Sequence, residues 1–226
     1  MNDERWMTFD CYGTLLDWQS GFRRILAPFA GARIDALVEA FHAVEPEVER
    51  ELPTSSYKAI LREGVARASR RAGLEPTGAD LERLVDGWGT IGPFDDTVAA
   101  LAELKRQGWR LGILTNCDDD LFAATRAALG VEIDLVVTAE EVRSYKPALG
   151  HFTRFEAASG VERRNWVHAA VSWWHDMVPA KELGLRRVWV DREDSGHDAS
   201  IVTARVPDMA SLAALAAELY TQEAHA

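Results

Sequence analysis

The run Trp6-Met7-Thr8-Phe9-Asp10-Cys11-Tyr12-Gly13-Thr14-Leu15 decides how this chain is read. Its first four residues form a short, largely apolar stretch of the kind that becomes a buried strand. The stretch ends at a carboxylate, and Gly13 permits a sharp turn just beyond it. Open parallel sheets bind their ligands outside the carboxyl ends of the strands. A polar side chain at the tip of a buried strand is therefore a candidate for chemistry, provided that the rest of the chain builds such a sheet.

Working outward from Asp10, residues 21–88 carry no strand pattern. They carry apolar residues at helical spacing instead, in 34–41 and again in 59–66, with Gly73, Pro76 and Gly78 as breaks. After Gly92-Pro93 the pattern alternates. Strands are expected at 110–114, 135–137, 166–171 and 187–190, and helices at 97–107, 121–129, 152–159, 178–183 and 209–220. Strands alternating with helices at this spacing predict an α/β fold, a Rossmann-like doubly wound parallel sheet. The helical block interrupts it after the first strand. The predicted organisation is a core of residues 1–16 and 93–226 with an inserted helical cap, 17–92, hinged near residues 15–18 and 91–93. The tail after Tyr220 is expected to fray.

Composition narrows the function. A net charge of -11 over 226 residues argues against a partner that is nucleic acid or an anionic membrane surface. No apolar run approaches the length of a membrane span, and the first residues lack the basic start and apolar stretch of a signal peptide, so a cytoplasmic protein is expected. The two cysteines, Cys11 and Cys117, form neither a disulfide framework nor a zinc-ligand pattern.

Polar residues follow four of the apolar runs: Asp10, Thr115-Asn116, Lys146, and Ser172-Trp173-Trp174-His175-Asp176. Phe9-Asp10-Cys11-Tyr12-Gly13-Thr14-Leu15 resembles the first motif of the haloacid dehalogenase superfamily. Leu114-Thr115-Asn116 resembles its second, Tyr145-Lys146-Pro147 its third, and the segment from Ser172 to Asp176 its fourth. Each is short, but the four occur in order at strand ends over nearly the whole chain.

Chemistry gives these residues roles. Asp10 can attack an electrophilic carbon or phosphorus and form an ester. Thr14 offers a hydroxyl to hold that carboxylate, and Lys146 a cation that keeps it ionised. Thr115 and Asn116 supply donors to an anionic substrate, with the backbone amides of Cys11 and Tyr12 around the turn and Trp173 as a wall of the pocket. Ser172 and Asp176 complete the catalytic set, Asp176 holding the water that hydrolyses the ester. His175, as a proton shuttle, and Trp174, as a second wall, are weaker candidates. Asp118-Asp119-Asp120 reads as a solvated acidic turn at a helix start rather than a metal cluster. His42, His151, His168 and His197 show no ligand spacing.

Within the superfamily, phosphatases usually place a second Asp two residues after the nucleophile to protonate a leaving alkoxide. Tyr12 stands there, and a leaving halide needs no proton. The pattern resembles the L-2-haloacid dehalogenase branch, which implies displacement of halide from a small 2-haloalkanoic acid, an Asp10 ester, and no cofactor. It also allows a homodimer. The alternatives are a Mg2+-dependent phosphatase with Asp10, Tyr12 and Asp176 around the ion, and a non-catalytic protein that binds a small anion or a partner.

Overall fold

A computed structural model describes residues 4–221. The expected fraying after Tyr220 concerns residues that lie almost wholly outside this range. Six strands, β1 (Arg5–Phe9), β2 (Trp109–Thr115), β3 (Leu135–Thr138), β4 (Trp166–Ala170), β5 (Arg186–Val190) and β6 (Ala204–Val206), form one sheet. Their order is β3-β2-β1-β4-β5-β6 and every pairing is parallel. The five predicted strands are present within a residue or so of their expected limits. The sixth was not predicted: Ala204-Arg205-Val206 is too short and too polar to show a strand pattern, and it pairs along the edge of β5.

Four helices follow β1 before the chain reaches Pro93: α1 (Trp18–Ala30), α2 (Ile34–Glu51), α3 (Tyr57–Arg71) and α4 (Gly78–Gly87). They bury apolar stripes against one another, with Phe22, Leu37, Phe41, Ile60, Leu61, Val65 and Leu84 fully or almost fully enclosed. The segments that lead in and out of this block run side by side. Leu16 pairs with Pro93, Asp17 N donates to Gly92 O at 2.8 Å, and Phe94 N donates to Leu15 O at 3.1 Å.

The remaining helices are α5 (Thr97–Arg106), α6 (Asp119–Arg126), α7 (Ala139–Val142), α8 (Gly150–Ser159), α9 (Val178–Glu182) and α10 (Met209–Thr221). They connect the strands and cover the sheet; α5 and α10 pack on each other, and α8 packs on β2 and β3. From β1 the chain moves through β2 to β3 in one direction across the sheet, and from β4 to β6 in the other. The reversal lies between β1 and β4, and a crevice opens where connections leave adjacent strands in opposite directions. Asp10 follows β1 directly, so topology alone puts it at that crevice.

Candidate active site

The turn after β1 is built around Gly13, which has φ +99°, a conformation that L side chains rarely adopt. A Cβ there would also lie 3.1 Å from the Trp18 indole nitrogen. The turn closes through Gly13 N donating to Leu16 O at 2.7 Å. It leaves Asp10 facing a cavity of about 600 Å³ between the strand ends and the helices α1 and α2.

Lys146 is the centre of the charge arrangement. Its side chain is 1% exposed, and its Nζ donates to Asp10 Oδ1 at 2.9 Å, to Asp176 Oδ1 at 2.6 Å and to Leu114 O at 2.8 Å. An ammonium has three protons, and these three acceptors use all of them. The segment that carries Lys146 is held by Asn116, whose Oδ1 accepts from Lys146 N at 2.7 Å and whose Nδ2 donates to Lys146 O at 3.1 Å. Thr14 Oγ1 donates to Asp10 Oδ2 at 3.0 Å and accepts from Val171 N at 3.0 Å, tying the turn after β1 to the end of β4.

The fourth motif forms a single wide turn over Trp173–Met177, in which Met177 N reaches back to Ser172 O at 3.3 Å. This turn places Asp176 inward, fully buried. Ser172 Oγ accepts from His175 N at 3.2 Å and lies 3.0 Å from His175 Nδ1. Burial would raise the Asp176 pKa, but Lys146 and the His168 hydrogen bond outweigh it and hold the group down at about 2. For Asp10 the balance tips the other way. Burial is the largest influence and raises its pKa above the usual carboxylate value, against the pull of Lys146.

Asp10, Thr14, Lys146, Ser172 and Asp176 therefore converge, and Tyr12, Thr115 and Asn116 line the same cavity. Other assignments change. The Cys11 side chain is fully buried in the core and is not among the cavity's lining residues, so only its backbone could face a ligand. The Tyr12 hydroxyl is engaged by the protein: it accepts from Trp88 Nε1 at 2.7 Å and lies 2.8 Å from Thr125 Oγ1. The Thr115 hydroxyl donates to Cys117 Sγ at 3.5 Å. Trp173 does not wall the cavity. It stacks on His197 at 4.9 Å and packs edge-on against Trp189, because the wide turn throws it to the other side. Trp174 is 60% exposed. Nor is Asp118 solvated: it is 1% exposed and accepts from Tyr57 N and Lys58 N at the start of α3.

Sequence reasoning missed the acids on α2. Glu45 and Glu49, one helical turn apart, face the cavity opposite Asp10. Glu45 accepts from the Tyr57 hydroxyl. Glu49 Oε1 accepts from Asn116 Nδ2 at 3.4 Å, and its Oε2 lies 3.8 Å from His175 Nε2. Burial pushes Glu45 up to about 7 and Glu49 well above the usual carboxylate range. The available signal was their place on the apolar stripe of α2, in line with Leu37, Phe41 and Val48.

The donor set does not favour magnesium on Asp10, Tyr12 and Asp176. Lys146 Nζ already sits within hydrogen-bonding distance of both carboxylates and supplies the cation between them. Among the described residues no group of three or more His, Cys, Asp or Glu side chains is arranged to hold a metal ion.

Residues 5–169 match the family model of haloacid dehalogenase-like hydrolases. The chain belongs to that family. Within the haloacid dehalogenase-like hydrolases it is similar to the (S)-2-haloacid dehalogenase of Pseudomonas sp. (strain YL), 27% identical over 192 residues that cover 82% of each chain. It is also similar to haloacetate dehalogenase H-2 of Moraxella sp. (strain B), 28% identical over 118 residues, 51% of this chain and 52% of that one. The solved L-2-haloacid dehalogenase of Xanthobacter autotrophicus shares the fold, with a TM-score of 0.83 at 21% identity over 94% of this chain and 98% of that one. No helix among the described residues is long and apolar enough to cross a membrane.

Proposed function

We propose that this hydrolase removes halide from a small 2-haloalkanoic acid, the reaction named for its Pseudomonas and Moraxella relatives. One observation carries the reading. A single buried ammonium, Lys146 Nζ, is shared by Asp10 and Asp176, while Tyr12 stands where a phosphatase would need a second acid. Asp10 Oδ2, steadied by Thr14, attacks C2 of the acid; the C2–halogen bond breaks and the halide leaves with the bonding pair, needing no proton. Water then adds to the ester carbon. Its oxygen stays on Asp10, and the product departs as a 2-hydroxy acid. Asp176, kept ionised by Lys146 and His168, orients that water through its free oxygen.

In this reading Asn116 sets Lys146 in place, and Ser172 fixes the turn that carries Asp176. The helices of residues 17–92 act as a cap over the cavity, hinged where Leu16 pairs with Pro93. No cofactor takes part. A cytoplasmic location and a homodimer fit the same reading.

The test is single-turnover hydrolysis of 2-chloropropionate in heavy-oxygen water, followed by mass spectrometry of the peptide that contains Asp10. The expected result is one solvent oxygen in Asp10, with halide and 2-hydroxypropionate released and no requirement for Mg2+. Label found only in the product, or turnover confined to phosphate esters with Mg2+, would overturn it.

A further inference from the structure

Asp176 is held by more than Lys146. His168 Nε2 lies 3.0 Å from Asp176 Oδ1, the same oxygen that Lys146 engages. Both side chains are fully buried. Asp176 Oδ2, also buried, takes no hydrogen bond from the described residues, although Asp176 lines the cavity. One oxygen of this carboxylate is thus filled by two donors, and the other is left for a ligand.

Hydrogen-bond logic fixes the histidine's proton. The Trp166 indole nitrogen is 2.7 Å from Thr8 Oγ1, and an indole N–H can only donate. Thr8 therefore accepts from Trp166 and keeps its own hydroxyl proton to give. His168 Nδ1 lies 2.9 Å from Thr8 Oγ1, so the hydroxyl and the ring are hydrogen-bonded. Nε2 faces a carboxylate oxygen, which accepts, so that nitrogen carries a proton and points it at Asp176. The opposite tautomer would set a lone pair against a carboxylate. Thr8 and His168 are register partners on β1 and β4, so the sheet itself sets this chain of bonds. The Phe152 ring meets His168 edge-on at 5.0 Å and limits its rotation.

We infer that His168 is a positioning residue for the second half of the reaction: anchored by Thr8 with its Nε2–H toward Asp176, it pins Asp176 Oδ1 and so turns Oδ2 toward the water that hydrolyses the Asp10 ester. This rests on the covalent reading given above. In the step concerned, water oxygen adds to the ester carbon of Asp10 with Oδ2 orienting it. The bond from that carbon to the product oxygen then breaks. One proton of the water passes to the product oxygen and the other leaves to solvent as Asp10 regains its charge. His168 touches none of the reacting atoms, so its loss falls on the step that uses Oδ2 and spares the attack of Asp10 on C2.

The experiment is rapid-quench turnover of 2-chloropropionate with intact-mass detection of the Asp10 ester, in the native enzyme, His168→Leu, His168→Gln and Thr8→Val. In His168→Leu, ester formation should stay within about 3-fold while ester hydrolysis slows by about 30-fold, so that the ester accumulates. His168→Gln, whose amide can donate near the place of Nε2, should restore most of the hydrolysis rate. Thr8→Val folds the same test into a smaller change should the leucine variant not fold, with ester hydrolysis alone slowed. Equal slowing of both steps, or no rescue by glutamine, would overturn the inference. A native enzyme that never forms the ester would overturn the covalent reading, and this one with it.

Discussion

The backbone nitrogen of Tyr57 lies 2.7 Å from Oδ1 of Asp118, so a carboxylate at the start of α6 caps the start of α3. The second oxygen of Asp118 accepts from Lys58 N at 3.0 Å. The first amides of a helix have no partner within it and need one from elsewhere. Here the partner comes from the far side of the boundary between the helical block and the sheet. The contact is joined by the Tyr145 hydroxyl donating to Ser55 O at 2.6 Å, and by Trp88 donating to Tyr12 at 2.7 Å.

Replacing Asp118 with Ala strips two amides of the first turn of α3 of their acceptor at once. The variant should lose about 2 kcal/mol of stability, since cap losses and unsatisfied buried donors each cost on that order. Urea denaturation against the native protein measures it. An unchanged midpoint would mean that Ser56, which accepts from Ala59 N, caps α3 well enough by itself.

Asp10→Asn keeps the shape of the nucleophile and removes its reactivity. Turnover should fall by about 10³-fold or more, as it does when a nucleophile is deleted. Thermal unfolding should move by no more than about 4 °C, because Thr14 and Lys146 keep a hydrogen-bonding partner. Steady-state kinetics and a melting curve on the same preparation check both.

Lys146→Met should move the acid limb of kcat/KM. Asp10 must be ionised to attack, and its pKa already stands above the usual carboxylate value because burial outweighs Lys146. Activity is therefore lost as pH falls through that raised value. Removing Lys146 removes the largest opposing influence, so the limb shifts to higher pH. The variant should also lose about 3 kcal/mol or more, because two buried carboxylates are left without their cation. A kcat/KM profile whose acid limb stays in place would contradict the shared-ammonium arrangement.

Glu45, with a pKa of about 7, gives the cavity a charge that changes near neutrality. Below that pH it is protonated and tolerates an anionic substrate; above it, the ionised group repels one. KM for a 2-haloalkanoate should rise as pH passes about 7, and Glu45→Gln should flatten the rise, its side-chain carbonyl still able to accept from the Tyr57 hydroxyl. KM measured across that range in the two proteins distinguishes this from a change in kcat.

The alternation of strands and helices, the helical block between the first strand and the rest, and the four polar segments at strand ends were legible in the order of residues alone. These are local in origin. A parallel sheet buries its strands as apolar runs and exposes whatever follows them, so Asp10, Lys146 and Asp176 could be picked out one segment at a time. Which side chains turn inward between segments was settled by packing. Cys11 and Trp173 belong to the right segments but face the core and a neighbouring aromatic cluster, because the Gly13 turn and the wide turn at Trp173–Met177 set directions that no periodicity encodes. His168 lies inside a strand, where its partners Thr8 and Asp176 are fixed by register and by the following turn. Glu45 and Glu49 lie on the buried stripe of a helix. Their part in the site comes from packing α2 against strand ends far away in sequence, and helical spacing tells which residues share a face without telling what that face meets.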